Sequence, residues 1–142
     1  MWGDKMNIAF FLKPKASVAF LYSDYTIRQA IEKMRYYGYT AIPVIERDGK
    51  YVGVVSEGDF LWYLTDLFSE NADVGMKTLE ETPMSVVMNK NAYQRAGITA
   101  DINELVNLSL RQNFVPVTDD SESFIGIVTR RDIISHLADN SK

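Results

Sequence analysis

Two four-residue stretches hold the residue types from which an anion site is built: Ser56-Glu57-Gly58-Asp59 and Thr129-Arg130-Arg131-Asp132. Each sets a hydroxyl and a carboxylate three residues apart, just ahead of a run with helical apolar spacing. One reading is structural. In a capping box the hydroxyl accepts from the backbone N–H three residues on, and the acid accepts in return. The other reading uses the same geometry for a ligand. Unpaired N–H groups and the positive dipole end of a helix suit a phosphate, while a nearby carboxylate accepts from a ribose diol. Arg130 and Arg131 favour the second reading in an acidic chain, since a charge-assisted bond from a guanidinium to phosphate is worth roughly 1.5–3 kcal/mol. They are equally compatible with solvated charges paired to Asp or Glu. The residues alone leave both readings open.

The stretches are parts of an internal repeat. Ala41-Ile42-Pro43-Val44, followed from Gly53 by Gly-Val-Val-Ser-Glu-Gly-Asp, is answered by Phe114-Val115-Pro116-Val117 and, from Gly126, Gly-Ile-Val-Thr-Arg-Arg-Asp. Pro43 and Pro116, Gly53 and Gly126, Ser56 and Thr129, and Asp59 and Asp132 share one spacing of 73 residues. Upstream, Ile27, Ala30, Ile31 and Met34 fall at i, i+3, i+4 and i+7, as do Ile102, Leu105, Val106 and Ser109, which predicts a helix in each copy. These helices match at a spacing of 75, so the second copy is two residues shorter in the turn that reads Tyr36-Tyr37-Gly38-Tyr39-Thr40 in the first. Ser23 or Asp24 is expected to cap the first helix, and Thr99 or Asp101 the second.

After each helix come two β-rich runs around a turn: 41–46 and 51–55 about Arg47-Asp48-Gly49-Lys50, then 114–118 and 124–128 about 119–123. Asp-Gly between apolar runs is a hairpin signal. A second helix follows each hairpin, expected over 59–68 and 132–137. Each unit is therefore β-α-β-β-α, giving an α/β chain with repeats at 7–68 and 83–138 and a polar connecting segment at 69–82. A unit of about 60 residues buries only about 60% of its unfolded surface, so the two are expected to pack sheet to sheet about a pseudo-two-fold axis.

Composition narrows the function. The 142 residues are 46% hydrophobic and 24% charged with a net charge of −4, enough apolar material for a core and too acidic for a general nucleic-acid binder. There is no cysteine, which excludes thiolate metal sites, disulfides and cysteine nucleophiles. His136, the single histidine, has no partner ligand or base at a useful spacing and reads as structural. Gly-x-Ser-x-Gly, a Walker-type loop and His-Glu-x-x-His are all missing; no catalytic or metal residues are assigned. Asn107-Leu108-Ser109 matches a glycosylation triplet inside an expected helix, a coincidence. Apolar runs such as 8–12 and 60–64 are far below the roughly 18 residues of a membrane span, and the N-terminus lacks a signal-peptide pattern. The expectation is a cytoplasmic protein with neither nucleic-acid nor membrane partners.

The segment Tyr39-Thr40-Ala41-Ile42-Pro43-Val44 with Gly53-Val54-Val55-Ser56-Glu57-Gly58-Asp59, and its counterpart Phe114-Val115-Pro116-Val117 with Gly126-Ile127-Val128-Thr129-Arg130-Arg131-Asp132, resemble tandem cystathionine-β-synthase-type (CBS) domains over nearly the whole chain. The resemblance implies a CBS pair with adenosine-ligand clefts, commonly dimeric, in which one cleft joins the base-facing segments of one copy to the hydroxyl-to-acid motif of the other. It places Ser17, Val18, Ala19, Tyr39, Thr40 and Ala41 with Thr129, Arg130, Arg131 and Asp132 in the stronger site. Asn113, Phe114 and Val115 go with Ser56 and Asp59 in the weaker one, where Glu57 opposes an anion. Gly38 to Val44 and Phe124 to Arg131 are also similar to small stand-alone CBS proteins of Gram-positive bacteria that bind cyclic di-AMP. The implied function is a non-catalytic nucleotide receptor, requiring no cofactor, for cyclic di-AMP or for AMP, ADP or ATP, that signals to a protein partner. Two other readings stand beside it: a constitutive interaction protein with vestigial clefts, and a nucleotide-processing enzyme.

Aromatic residues complete the set. Phe60, Trp62, Tyr63, Leu64, Leu67 and Phe68 crowd one helix with more apolar surface than one buried face uses, which suggests a share in a homodimer interface. Tyr39 is the residue expected to stack beside a base, with Tyr36 and Tyr37 as surface or core.

Overall fold

The computed structural model describes residues 8–70, 75–89 and 92–140 and divides into two compact units, one formed by 19–92 and the other by 1–18 together with 93–142. The first unit is a three-stranded sheet in the order β2 (Leu21–Tyr22), β3 (Ala41–Ile45), β4 (Tyr51–Ser56). β2 runs parallel to β3, and β3 antiparallel to β4. Helices α1 (Ile27–Tyr37), α2 (Glu57–Glu70) and α3 (Met76–Glu81) accompany it. The second unit is a four-stranded sheet, ordered β1 (Lys13–Pro14), β7 (Phe124–Thr129), β6 (Phe114–Thr118), β5 (Ala96–Gly97), with helices α4 (Ile102–Ser109) and α5 (Arg130–Asn140). The mixed α/β class and the β-α-β-β-α order follow the sequence pattern in both units.

Burial explains the periodicities. Ile27, Ala30 and Met34 turn into a core with Leu21, Ile42, Val44 and Val55, and Ile102, Leu105 and Leu108 into one with Val115, Val117, Val128 and Ile133. Pro-Val sits at the centre of a buried strand in each unit. The Asp-Gly turn closes β3 on β4 with Gly49 at φ 96°, where a residue without Cβ meets no steric penalty. Its counterpart turns on Glu122 at φ 64°, held by Asp119, whose carboxylate accepts from the N–H groups of Ser121 and Ser123.

Three expectations change and one is met. Neither Ser23 nor Asp24 caps α1: Ser23 donates to Glu46 and Asp24 pairs with Arg47 at 2.9 Å. Thr26 takes the role in a capping box with Gln29. Of the pair expected at α4, Asp101 is the cap, accepting from the Glu104 N–H. Both helices after the hairpins start two residues early, at Glu57 and Arg130, so that the motifs form their first turns. The stretch expected as a plain connection holds the end of α2 and then α3, whose Glu80 is bridged by Arg28 of α1.

The remaining difference is at the N-terminus. Asn7, the expected start of the first repeat, lies outside the described residues, and 8–18 belong to the second unit. β1 pairs antiparallel with β7, Lys13 opposite Ile127 and Pro14 opposite Gly126. A Cβ on Gly126, whose φ is 155°, would lie 2.1 Å from the Lys13 carbonyl oxygen. At Gly53, the counterpart, the nearest atom is the flexible Met88 Cε at 3.1 Å. Gly126→Ala is therefore expected to lower stability by roughly 1–3 kcal/mol and to raise hydrogen exchange at β1, with Gly53→Ala costing less. Denaturant unfolding of the two variants, with amide exchange read at Lys13 and Lys15, checks both.

Candidate functional site

The ladder that ends each hairpin fixes where its motif stands. Ala41 faces Ser56 across β3 and β4, and Phe114 faces Thr129 across β6 and β7. One step further the Glu57 N–H donates to the Thr40 carbonyl (2.9 Å) and the Arg130 N–H to the Asn113 carbonyl (2.8 Å). Each motif is thus hydrogen-bonded to the residue preceding its own Pro-Val strand. The structure brings Tyr39, Thr40 and Ala41 together with Ser56 and Asp59 in one unit, and Asn113, Phe114 and Val115 with Thr129 to Asp132 in the other. Ala19 belongs to the first unit and is buried in its core. Ser17 and Val18 belong to the second: exposed Ser17 ends a one-turn 3-10 helix, and the half-buried Val18 closes it with its N–H on Lys15. Phe114 and Val115 are buried, at 9% and 0% exposure.

The two motifs differ in what their carboxylates do. In the first, the capping box is complete: the Asp59 N–H donates to Ser56 Oγ at 3.2 Å, and the Ser56 N–H donates to Asp59 Oδ2 at 2.9 Å. In the second, the Asp132 N–H donates to Thr129 Oγ1 at 3.1 Å, but the Asp132 carboxylate lies 3.8 Å from the Lys13 ammonium of β1. The hydroxyls cap alike, while the acids are used differently.

The arginines also part. The Arg130 Nε–H donates to the Ser109 carbonyl at the end of α4, at 2.7 Å, a favourable placement for a cation at a helix C-terminus. Arg131 is exposed and lines an open hollow of about 360 Å³ with Asn113, Arg130, Ile134 and Ser135. Tyr93 packs its ring 5.1 Å from Phe114. Burial pushes its phenol pKa up, against the opposing pull of Arg130 and a backbone bond at Asn113. In the first unit a hollow of about 440 Å³ is lined by Arg35, Tyr39, Glu57 and apolar Ile31, Met34 and Phe60; its equivalent in the second unit, about 270 Å³, is lined by Val106, Ser109, Leu110, Arg130 and Ile133. Glu57 stands where the second unit has Arg130. Tyr39 is 42% exposed and stacks on Tyr37 at 6.1 Å. Lys13 is the residue that the sequence motifs did not single out, because it reaches Asp132 across a strand pairing with no local signal.

His136 is half-buried, with its ring edge-on to Phe11 at 5.1 Å. Among the described residues no group of His, Asp and Glu is placed to hold a metal ion, and no helix is long and apolar enough to cross a membrane.

The sheet order, the doubled hairpin-to-helix junction and its hydroxyl caps define a tandem CBS pair. The family model of the CBS domain matches twice, at residues 12–66 and 85–139, and the chain belongs to that family. It is 29% identical over 144 residues to the uncharacterized protein MJ1426 of Methanocaldococcus jannaschii, covering 82% of this chain and 84% of that one. Among solved structures it resembles CbpB in complex with c-di-AMP, with a TM-score of 0.83 and 21% identity over 94% of this chain and 85% of the other. It also resembles CBSX2 in complex with AMP, with a TM-score of 0.73 and 21% identity over 96% and 99% of the two chains.

The different use of the two carboxylates has a measurable consequence. Asp59→Ala removes a bond that closes a cap and is expected to lower stability by about 1 kcal/mol, whereas Asp132→Ala costs clearly less because only an exposed ion pair is lost. Parallel urea titrations test this; equal losses would contradict it.

Proposed function

We propose that this protein is a non-catalytic regulatory module that binds an adenine nucleotide, cyclic di-AMP before AMP, ADP or ATP, and passes its occupancy on to a protein partner. CBS pairs are in general regulatory nucleotide-binding modules, which is the coarse statement that family membership carries. The observation that carries the finer one is the second motif: a hydroxyl-capped helix start with an exposed Arg131, and an Asp132 carboxylate not taken up by its own cap. Arg131 and the helix N–H groups suit phosphate, and Asp132 suits a ribose diol. In this reading Ser17, Val18, Ala19, Tyr39, Thr40 and Ala41 supply the base-facing side. Asn113, Phe114 and Val115 with Ser56 and Asp59 form a second site that stays weak or empty, since Glu57 repels an anion and Asp59 is already bonded.

Two similar folds have been solved with adenine nucleotides, one with c-di-AMP and one with AMP, and both ligands suit the same residues. Cyclic di-AMP is preferred because its two phosphates can be met by both Arg131 and the terminal nitrogens of Arg130, which the Nε–H bond to Ser109 does not use. Homodimer formation belongs to the same proposal. On α2, Leu61, Trp62 and Phe68 are 60%, 67% and 55% exposed, an apolar face of the kind that association covers. Signalling then requires only that the ligand bind one arrangement of the protein more tightly than another.

Calorimetric titration with cyclic di-AMP, AMP, ADP and ATP decides the reading. The expected result is one strong binding event per chain, tightest for cyclic di-AMP. Arg131→Ala should weaken it by roughly 1–3 kcal/mol, and Tyr39→Ala should weaken the same event if both segments face one ligand. Silence with all four at about 1 mM would leave a constitutive interaction protein, and tighter AMP binding would make it an AMP sensor.

A further inference from the structure

We propose that Lys13, carried by the short N-terminal strand β1, is a phosphate-facing cation of the nucleotide site at Thr129–Asp132, a deepening that rests on the function proposed above. Its ammonium lies 3.8 Å from the Asp132 carboxylate and is half exposed. With the Arg130 Nε–H committed to the Ser109 carbonyl, Lys13 and Arg131 are, among the described residues, cations at the first turn of α5 whose side chains are open to solvent.

The placement is built rather than incidental. β1 is seated so closely on β7 that position 126 has room only for glycine, and this pairing sets Lys13 opposite Ile127, five residues before Asp132. The other repeat supplies an internal comparison. Its approach segment has the same burial pattern: Met84 and Val87 are buried where Ile8 and Phe11 are, and Met88 contacts Gly53 as Leu12 contacts Gly126. That correspondence puts Asn89 in the place of Lys13. One half-site therefore gathers Lys13, Arg130 and Arg131, and the other has Asn89, Glu57 and Gly58 at the same three places. The cation is found only where the motif is basic. Lys13 also presents its positive charge to a phosphate beside the carboxylate that accepts from the diol.

The test separates charge recognition from structure by comparing AMP with adenosine. Lys13→Asn, which copies the other repeat, Lys13→Met and Lys13→Arg are each titrated with AMP, adenosine and cyclic di-AMP at low and high salt. The expected result is that the Asn and Met variants bind AMP and cyclic di-AMP three- to ten-fold more weakly, with a shallower salt dependence. Adenosine affinity stays within two-fold of the parent, and Lys13→Arg recovers phosphate-dependent binding. Equal loss for adenosine and AMP would mean that Lys13 only seats β1, and would overturn the inference. Unchanged AMP binding in Lys13→Met, with the parent protein binding normally, would also overturn it and leave the proposed function standing. A parent protein that binds none of the three ligands would remove both. Matching unfolding midpoints show that the variants are folded.

Discussion

The register of each hairpin decides where the next helix can start. Once Ala41 is opposite Ser56, and Phe114 opposite Thr129, the next N–H along the chain bonds back to Thr40 or to Asn113, and the helix has one place to begin. Its first turn must then be capped by the last residue of the strand, which is why a hydroxyl stands there in both copies. The buried Pro-Val pairs hold that register, since a slip of one residue would turn Val44 or Val117 out of its core. Strand pairing, capping and the location of any anion site are consequences of one alignment.

On this shared scaffold the two repeats diverge by charge. The unit of residues 19–92 has seven basic and eleven acidic residues, and the other has eight of each, so the entire net charge of −4 resides in the first. The neutral unit is the one with Arg130, Arg131 and Lys13. Within the acidic unit the ion pairs stitch the fold to itself. Arg47 joins Asp24, holding the carboxyl below its usual pKa through a direct hydrogen bond, and stacks on the Tyr22 ring at 4.0 Å. Arg28 ties α1 to α3. Arg28 and Arg47 there are used internally, whereas Arg131 is left facing solvent in the other unit.

What the sequence disclosed was local or repeated. The Asp48-Gly49 turn, the 3.6-residue stripe of Ile27, Ala30 and Met34, and the doubled Pro-Val and Gly spacing each encode geometry within a few residues, and they read out as hairpin, helix and repeat. Choices between near neighbours were less visible. Ser23, Asp24 and Thr26 are all competent caps, and which one serves is decided by Glu46 and Arg47, distant in sequence, which take the first two. The same holds for the site. Spacing identified Thr129 and Asp132 but gave no sign that Arg130 would turn back to Ser109, or that a strand from the N-terminal end would bring Lys13 to Asp132. Those are long-range pairings, and no periodicity records them.

The N-terminal strand also shows how one unit is assembled from distant parts of the chain. The chain passes between units at 18–19 and again at 92–93, and Lys13 lies only five residues before the first passage. β1 holds its place by two residue pairings and by the close fit at Gly126, which leaves no room there for a side chain. β6, with all five residues buried, is held by the core instead. The charged residue beside the second motif is therefore placed by a pairing between distant parts of the chain, whereas the motif helix is placed by its own cap.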